Sequence, residues 1–301
     1  MAAPLSHVAT LICNPQAPVL TDALAASARS ALGAPEARWL APAEALDIEF
    51  APEGEFDRAG LEARLAQALG GAPVDIALQP IAGRRKKLFV ADMDSTIIGQ
   101  ECIDELADLV GLKPHVAAIT ERAMRGEIAF EPALRERVAL LAGLTADVVA
   151  DVIANRITLT PGAKTLVRTM RANGAYTALV SGGFTAFTSV IAEMVGFDEN
   201  RANRLVIEDG KFAGRVADPI LGADAKLASL RELRAQSRLS ADETMAAGDG
   251  ANDLPMLKDA GLGVAYHAKP AVAAAAAARV DHSDLTALLF MQGYRREDFV
   301  D

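Results

Sequence analysis

The stretch Lys87-Leu88-Phe89-Val90-Ala91-Asp92-Met93-Asp94-Ser95-Thr96 constrains this chain more than any other. A short apolar run behind a basic cluster, Arg84 to Lys87, predicts a buried strand of an α/β sheet. The run breaks into two carboxylates one residue apart, then two hydroxyls. Ligands of open α/β sheets bind beyond the carboxyl ends of the strands, so carboxylates placed there are positioned to work on one. Two close carboxylates repel, and they coexist where a cation neutralises them or one keeps a proton. Mg²⁺ takes hard oxygen ligands from one or two carboxylates and from phosphates, so both routes point to chemistry. The plain alternative is a strand ending in an acidic turn, since Asp and Ser are ordinary turn residues.

The length of 301 residues suits one large domain or two ordinary ones, and 51% hydrophobic against 23% charged residues provides for a substantial core. A net charge of −10 argues against a nucleic-acid partner, which would need a basic face. Cys13 and Cys102 form neither a disulfide framework nor a zinc site. The start Met1-Ala2-Ala3-Pro4 lacks the basic and apolar regions of a signal peptide, and no apolar run reaches membrane-spanning length. The expectation is a cytoplasmic protein with no membrane partner.

From His7 to Gln79 the pattern alternates in the order β-α-β-β-α-β, which predicts a ferredoxin-like α+β domain over 1–83. The basic segment Gly83 to Lys87 reads as a solvated linker. A catalytic domain is expected over 84–301, with a doubly wound, mostly parallel sheet. Between about 97 and 156, helices predicted at Glu101 to Val110, Lys113 to Arg125, Pro132 to Ala142 and Ala146 to Asn155 are too many for a simple crossover. They predict a cap over the strand ends. Further on, Tyr176 to Val180 runs into Ser181-Gly182-Gly183, and Asp209-Gly210 marks a hairpin. A helix carries Lys226, and a strand at Thr244 to Ala247 leads into Gly248-Asp249-Gly250-Ala251-Asn252-Asp253. The alanine-rich run Pro270 to Ala278 is helical by propensity.

Three strand ends therefore deliver polar groups to one edge: Asp92 and Asp94, Ser181, and Asp249, Asn252 and Asp253. Each has a plainer reading alone, as a turn, a solvated lysine or a helix cap. Their common order and placement make so many coincidences a poor account.

These four segments resemble the motifs of the haloacid-dehalogenase superfamily of phosphotransferases. The strings DMDST, VSGGF, the single Lys226 and AAGDGANDLPML are similar to its phosphoserine-hydrolysing branch, and the resemblance runs from about Lys87 to the C-terminus, cap included. It implies Asp92 as the nucleophile that forms an aspartyl phosphate, and Asp94 as the general acid and base. It implies Mg²⁺ on the Asp92 and Asp249 side chains and the Asp94 carbonyl, with Asp253 ordering the surrounding waters. Mn²⁺ suits the same oxygens. Ser181, the Gly182 amide, Lys226 and Asn252 would bind the phosphoryl group. In the cap, Glu101 and Arg137 match the positions that take the amino and carboxylate groups of serine, and arginine grips a carboxylate in bidentate fashion. Met124 and Phe130 would wall the pocket.

The implied activity is Mg²⁺-dependent hydrolysis of O-phospho-L-serine, the last step of serine biosynthesis. The rivals are a sister phosphatase acting on phosphohomoserine or a sugar phosphate, and an amino-acid-binding protein with a vestigial enzyme domain. The N-terminal pattern resembles an ACT-type module, the small amino-acid-sensing unit often joined to amino-acid enzymes. Asn14-Pro15-Gln16-Ala17-Pro18 stands where such modules carry a glycine-bearing ligand loop. Sensing, packing and homodimer formation are all open roles for it.

Overall fold

The computed structural model describes residues 4–52, 54–124 and 127–301. Strands β1 (His7–Cys13), β2 (Arg38–Ala41), β3 (Ala45–Phe50) and β4 (Val74–Pro80) form an antiparallel sheet ordered β2-β3-β1-β4. Helices α1 (Asp22–Ala31) and α2 (Arg58–Ala68) complete the ferredoxin-like arrangement. Each begins at an N-cap: Thr21 Oγ1 accepts from the Leu24 amide and Asp57 Oδ1 from the Gly60 amide. Successive strand residues face opposite sides of a sheet, and β1 is buried on both. Ala9, Leu11 and Cys13 pack with Leu61 and Leu65 of α2, whereas Ile12 joins the large core with Leu288 and Leu289.

The basic run that follows is solvated only in part: Gly83, Arg85 and Lys87 are exposed, whereas Arg84 and Lys86 turn inward. Lys86 is buried and the Arg84 side chain is 10% exposed, because each finds enough oxygen partners to offset desolvation. Arg84 donates to Asp47, to Thr10 and to the carbonyls of Phe290 and Met291. Lys86 Nζ donates to the carbonyls of Gly83 and Asp242.

The second sheet is parallel and begins with β5 (Leu88–Ala91). Helices α3 (Cys102–Leu109), α4 (Lys113–Met124), α5 (Phe130–Ala139) and α6 (Val148–Asn155) form the insert, followed by α7 (Ala163–Ala172), β6 (Tyr176–Phe184), α8 (Thr185–Val195) and β7 (Glu199–Asn203). Strands β8 (Leu205–Glu208) and β9 (Lys211–Val216) make the expected hairpin, with Asp209 and Gly210 both at positive φ as a type I′ turn requires. Then come α9 (Ala223–Gln236), β10 (Thr244–Gly248), α10 (Leu254–Asp259), β11 (Leu262–Tyr266), α11 (Pro270–Ala275), β12 (Ala278–Val280) and α12 (Ala287–Met291). The sheet order is β12-β11-β10-β5-β6-β7. Chain order reverses at β5, which lies between β10 and β6, so Asp92 leaves the sheet at the switch point where ligands of such folds bind.

The alanine run departs from its propensity. Helix α11 stops at Ala275, and Ala278 already pairs with Val264 of β11. A sheet edge needing a partner outweighs a weak helical preference. No helix among the described residues is long and apolar enough to cross a membrane.

Candidate active site

Beyond β5 the chain makes a wide turn in which the Ile98 amide donates to the Met93 carbonyl at 3.0 Å. Asp94 and Ser95 leave helical geometry inside it, and Ser95 takes the left-handed conformation at φ 55°. Asp92 is anchored by its own amide, which donates to the Ala247 carbonyl of β10 at 3.0 Å. Its Oδ1 accepts from the Met93 amide at 2.7 Å. Its Oδ2 lies 2.7 Å from Lys226 Nζ, which also donates to Asp253 Oδ1 at 2.6 Å.

All three of these side chains are buried. Burial raises the Asp92 pKa well above the carboxylate range, Asp253 adds to it, and Lys226 only partly offsets both. Burial works against the Lys226 ammonium, but Asp92 and Asp253 outweigh it and keep the pKa above its ordinary value. Asp94 is pushed up to about 7 by burial and by Glu101, while Cys102 opposes the shift by donating its amide to Oδ1 at 3.0 Å. Asp249 is raised to about 6, again by burial first and then by Asp253.

The cluster thus holds Asp92, Asp94, Asp249 and Asp253 about the ammonium of Lys226, with Lys269 also acting on Asp249. Ligand oxygens of Asp92, Asp249 and Asp253 lie within 4.8 Å of one another. An all-oxygen donor set with excess negative charge suits a hard divalent cation. Both Asp253 oxygens are already engaged, one by Lys226 and the other by the Gly250 amide at 3.0 Å. This leaves Asp253 better placed to orient the turn than to bind an ion directly.

The loop glycines are set by close approach. A Cβ on Gly248 would stand 2.4 Å from the Asp253 carboxyl carbon, one on Gly250 would stand 2.3 Å from Asn252 Oδ1, and one on Gly183 would stand 2.9 Å from Asp94 Oδ2. Ser181 is fully buried in β6 just past Val180, with Oγ accepting from the Gly183 amide at 2.9 Å and 3.5 Å from Asp94 Oδ2. Asn252 sits half-buried on the same turn as Asp253, its side-chain oxygen against Gly250.

The insert closes over this edge. The Phe130 ring covers Gly182 and Gly222, since a Cβ on either would meet it at 3.2 Å. Glu101 immediately precedes α3, and its Oε1 accepts from Ser95 Oγ at 2.7 Å. Arg137 on α5 is held by the Ala133 carbonyl at 3.2 Å and by Thr120 Oγ1 at 3.3 Å. Burial lowers its pKa, opposed by Asp104, Glu101 and Asp94, so it faces the acidic edge. Met124 ends α4, and its side chain lies outside the described residues. Ser95 and Thr120 were not singled out from the sequence. The first was visible as a hydroxyl in the first motif, the second carried no signal.

The residues 89–258 match the family model of the haloacid dehalogenase-like hydrolases. A phosphoserine phosphatase of Streptomyces coelicolor is 43% identical over 83% of this chain, which spans 61% of that protein's length. A solved structure of a probable phosphoserine phosphatase from Vibrio cholerae superposes with a TM-score of 0.76 at 32% identity, covering 98% of this chain and 88% of that one. A phospho-aspartyl intermediate analogue of phosphoserine phosphatase superposes with a TM-score of 0.64 at 39% identity, over 68% of this chain and 98% of that one. The matched stretch takes in the ends of β5, β6 and β10 together with Lys226, and by that match this chain belongs to the haloacid dehalogenase-like hydrolase family.

Proposed function

We propose that this chain hydrolyses O-phospho-L-serine to L-serine and phosphate, with Mg²⁺, in the cytoplasm and as the last step of serine biosynthesis. The observation that carries the reading is the pairing of a buried Asp92, held 2.7 Å from Lys226, with an Asp94 whose pKa stands at about 7. One carboxylate is fixed beside a cation, and the other is poised to exchange a proton near neutral pH. The similarity to the Streptomyces phosphoserine phosphatase, to the probable one from Vibrio and to the phospho-aspartyl analogue supports the same chemistry.

Asp92 attacks phosphorus in line as the bond from phosphorus to the serine oxygen breaks. Asp94 gives its proton to that departing oxygen, then takes one from the water that attacks the aspartyl phosphate and frees Asp92. Ser181, the Gly182 amide, Lys226 and Asn252 hold the phosphoryl oxygens. Asp92, Asp249 and the Asp94 carbonyl would hold Mg²⁺, which supplies charge to offset the phosphoryl oxygens when bound. Asp253 orients the turn and would order waters around such an ion. Glu101 takes the substrate ammonium and Arg137 its carboxylate.

Phosphate release from O-phospho-L-serine, phosphothreonine, phosphohomoserine and an aryl phosphate, with Mg²⁺ and with chelator, tests the reading. Metal-dependent preference for O-phospho-L-serine is expected, and Arg137→Ala should erase that preference while sparing the aryl ester. Release from the aryl ester alone would retain the Asp92 chemistry and overturn the substrate. No release from any of them would overturn both.

A further inference from the structure

Strands β6 and β7 pair in parallel up to Val180, then the register shifts and resumes at Phe184 opposite Asn203. The intervening Ser181–Gly183 loop bulges from the ladder, and a bulge leaves backbone groups without a strand partner. Asn203 supplies the missing partner from its side chain. It is the last residue of β7 and 2% exposed. Its Nδ2 donates to the Gly182 carbonyl at 2.8 Å and to the Leu221 carbonyl at 3.1 Å, and its Oδ1 accepts from the Leu221 amide at 2.7 Å.

Both arms of this amide lead to groups that hold the phosphoryl oxygens. A peptide unit is planar, so fixing the Gly182 carbonyl fixes the Gly183 N–H on its other side. That N–H donates to Ser181 Oγ and thereby orients the hydroxyl. On the other arm, Leu221 precedes Gly222, the N-cap of α9, whose carbonyl accepts from the Lys226 amide at 3.1 Å. Lys226 thus rises from the first turn of a helix whose start is pinned by Asn203.

We propose that Asn203 is a positioning residue that sets the spacing between the Ser181–Gly183 loop and Lys226, and so the width of the phosphoryl-binding cradle. The inference rests on the reading of that cradle given above. The side chain uses both amide donors and one acceptor on backbone groups. No residue of another type can make the same three bonds in that space.

The test compares the parent with Asn203→Asp and Asn203→Ser. Asn203→Asp keeps the volume and the acceptor for Leu221 but sets an oxygen against two carbonyls. Asn203→Ser keeps one donor. Displacement of catalytic groups by about 1 Å costs on the order of 100-fold. We expect kcat to fall by about that factor on O-phospho-L-serine and on an aryl phosphate alike. The inhibition constant of inorganic phosphate should rise at least about 10-fold, as for loss of one well-placed phosphate contact. Rates are taken per folded protein, at a temperature where circular dichroism shows the variants native. Unchanged kcat and phosphate inhibition in a variant with a lowered Tm would overturn the proposal and leave Asn203 a purely structural residue. A parent inactive on O-phospho-L-serine, with phosphate binding weakened in the variants by calorimetry, would overturn the substrate reading and keep the role of Asn203.

Discussion

Lys226 Nζ lies 2.7 Å from Asp92 Oδ2, and both side chains are buried. The ammonium is shared with Asp253, so one positive charge serves two carboxylates. Removing one member of a buried ion pair costs about 3–5 kcal/mol, because the other is left uncompensated. Lys226→Met should therefore destabilise the protein by about that amount in urea unfolding. It also removes the cation beside Asp92, the proposed nucleophile, for which a loss of about 100-fold or more in kcat is expected. A variant that keeps the parent rate would remove Lys226 from the phosphoryl site.

Asp94 is expected to act on the leaving group, and that can be separated from binding. A serine alkoxide leaves poorly unless protonated, whereas an aryl oxide leaves without help. Loss of a positioned proton donor costs about 10²–10⁴-fold. Asp94→Asn should lose about that much on O-phospho-L-serine and much less in the first step on an aryl phosphate, read as a burst of the aryl alcohol. Equal losses on both substrates would show that Asp94 does not protonate the leaving oxygen.

Metal binding should stabilise the protein in a pH-dependent way. The pKa values of Asp94, at about 7, and Asp249, at about 6, are both raised by burial. A carboxyl whose folded pKa is raised contributes stability below its unfolded pKa and loses it as pH climbs through the folded value. The chelated protein should lose stability from this edge between about pH 4 and 7, the interval from the ordinary to the raised values. A divalent cation held through the Asp249 carboxylate would compete with the proton there. The rise in Tm on adding Mg²⁺ should be small at pH 5 and grow toward pH 8. A rise of equal size at both pH values would place the ion elsewhere.

Much of this edge was legible because each strand end closes an apolar run with a distinctive polar group. Asp92, Ser181 and Asp249 needed only that pattern and the rule for open sheets. Strand β7 escaped, since Glu199–Asn203 is polar and belongs to the sheet by pairing at its margin, with no alternation to betray it. Asn203 went with it. The wide turn that aims Ser95 at Glu101 depends on a left-handed residue that is not glycine, a conformation no local rule anticipates. The end of α11 was set by β11 reaching for a neighbour, which alanine propensity could not foretell.

The burial of Arg84 was hidden for a related reason, as its partners lie far off in the chain. Its guanidinium grips both Asp47 oxygens at 2.6 Å and donates to Met291 at 2.8 Å and Phe290 at 3.0 Å. One side chain therefore ties β3 to α12. The Asp47 side chain is 1% exposed, and its other cation, Arg38, is 52% exposed at 3.3 Å and can compensate only in part. Arg84→Met should cost about 3–5 kcal/mol in urea unfolding. Arg84→Lys should recover little, because an ammonium cannot span two carboxylate oxygens and two carbonyls at once. The double variant Arg84→Met with Asp47→Leu should be more stable than Arg84→Met alone, since it removes the stranded carboxylate. The rate on O-phospho-L-serine should stay near the parent's throughout, measured well below the unfolding temperature. An Arg84→Met variant within about 1 kcal/mol of the parent, the range of an exposed ion pair, would show that the pair is solvated in solution and does not tie β3 to α12.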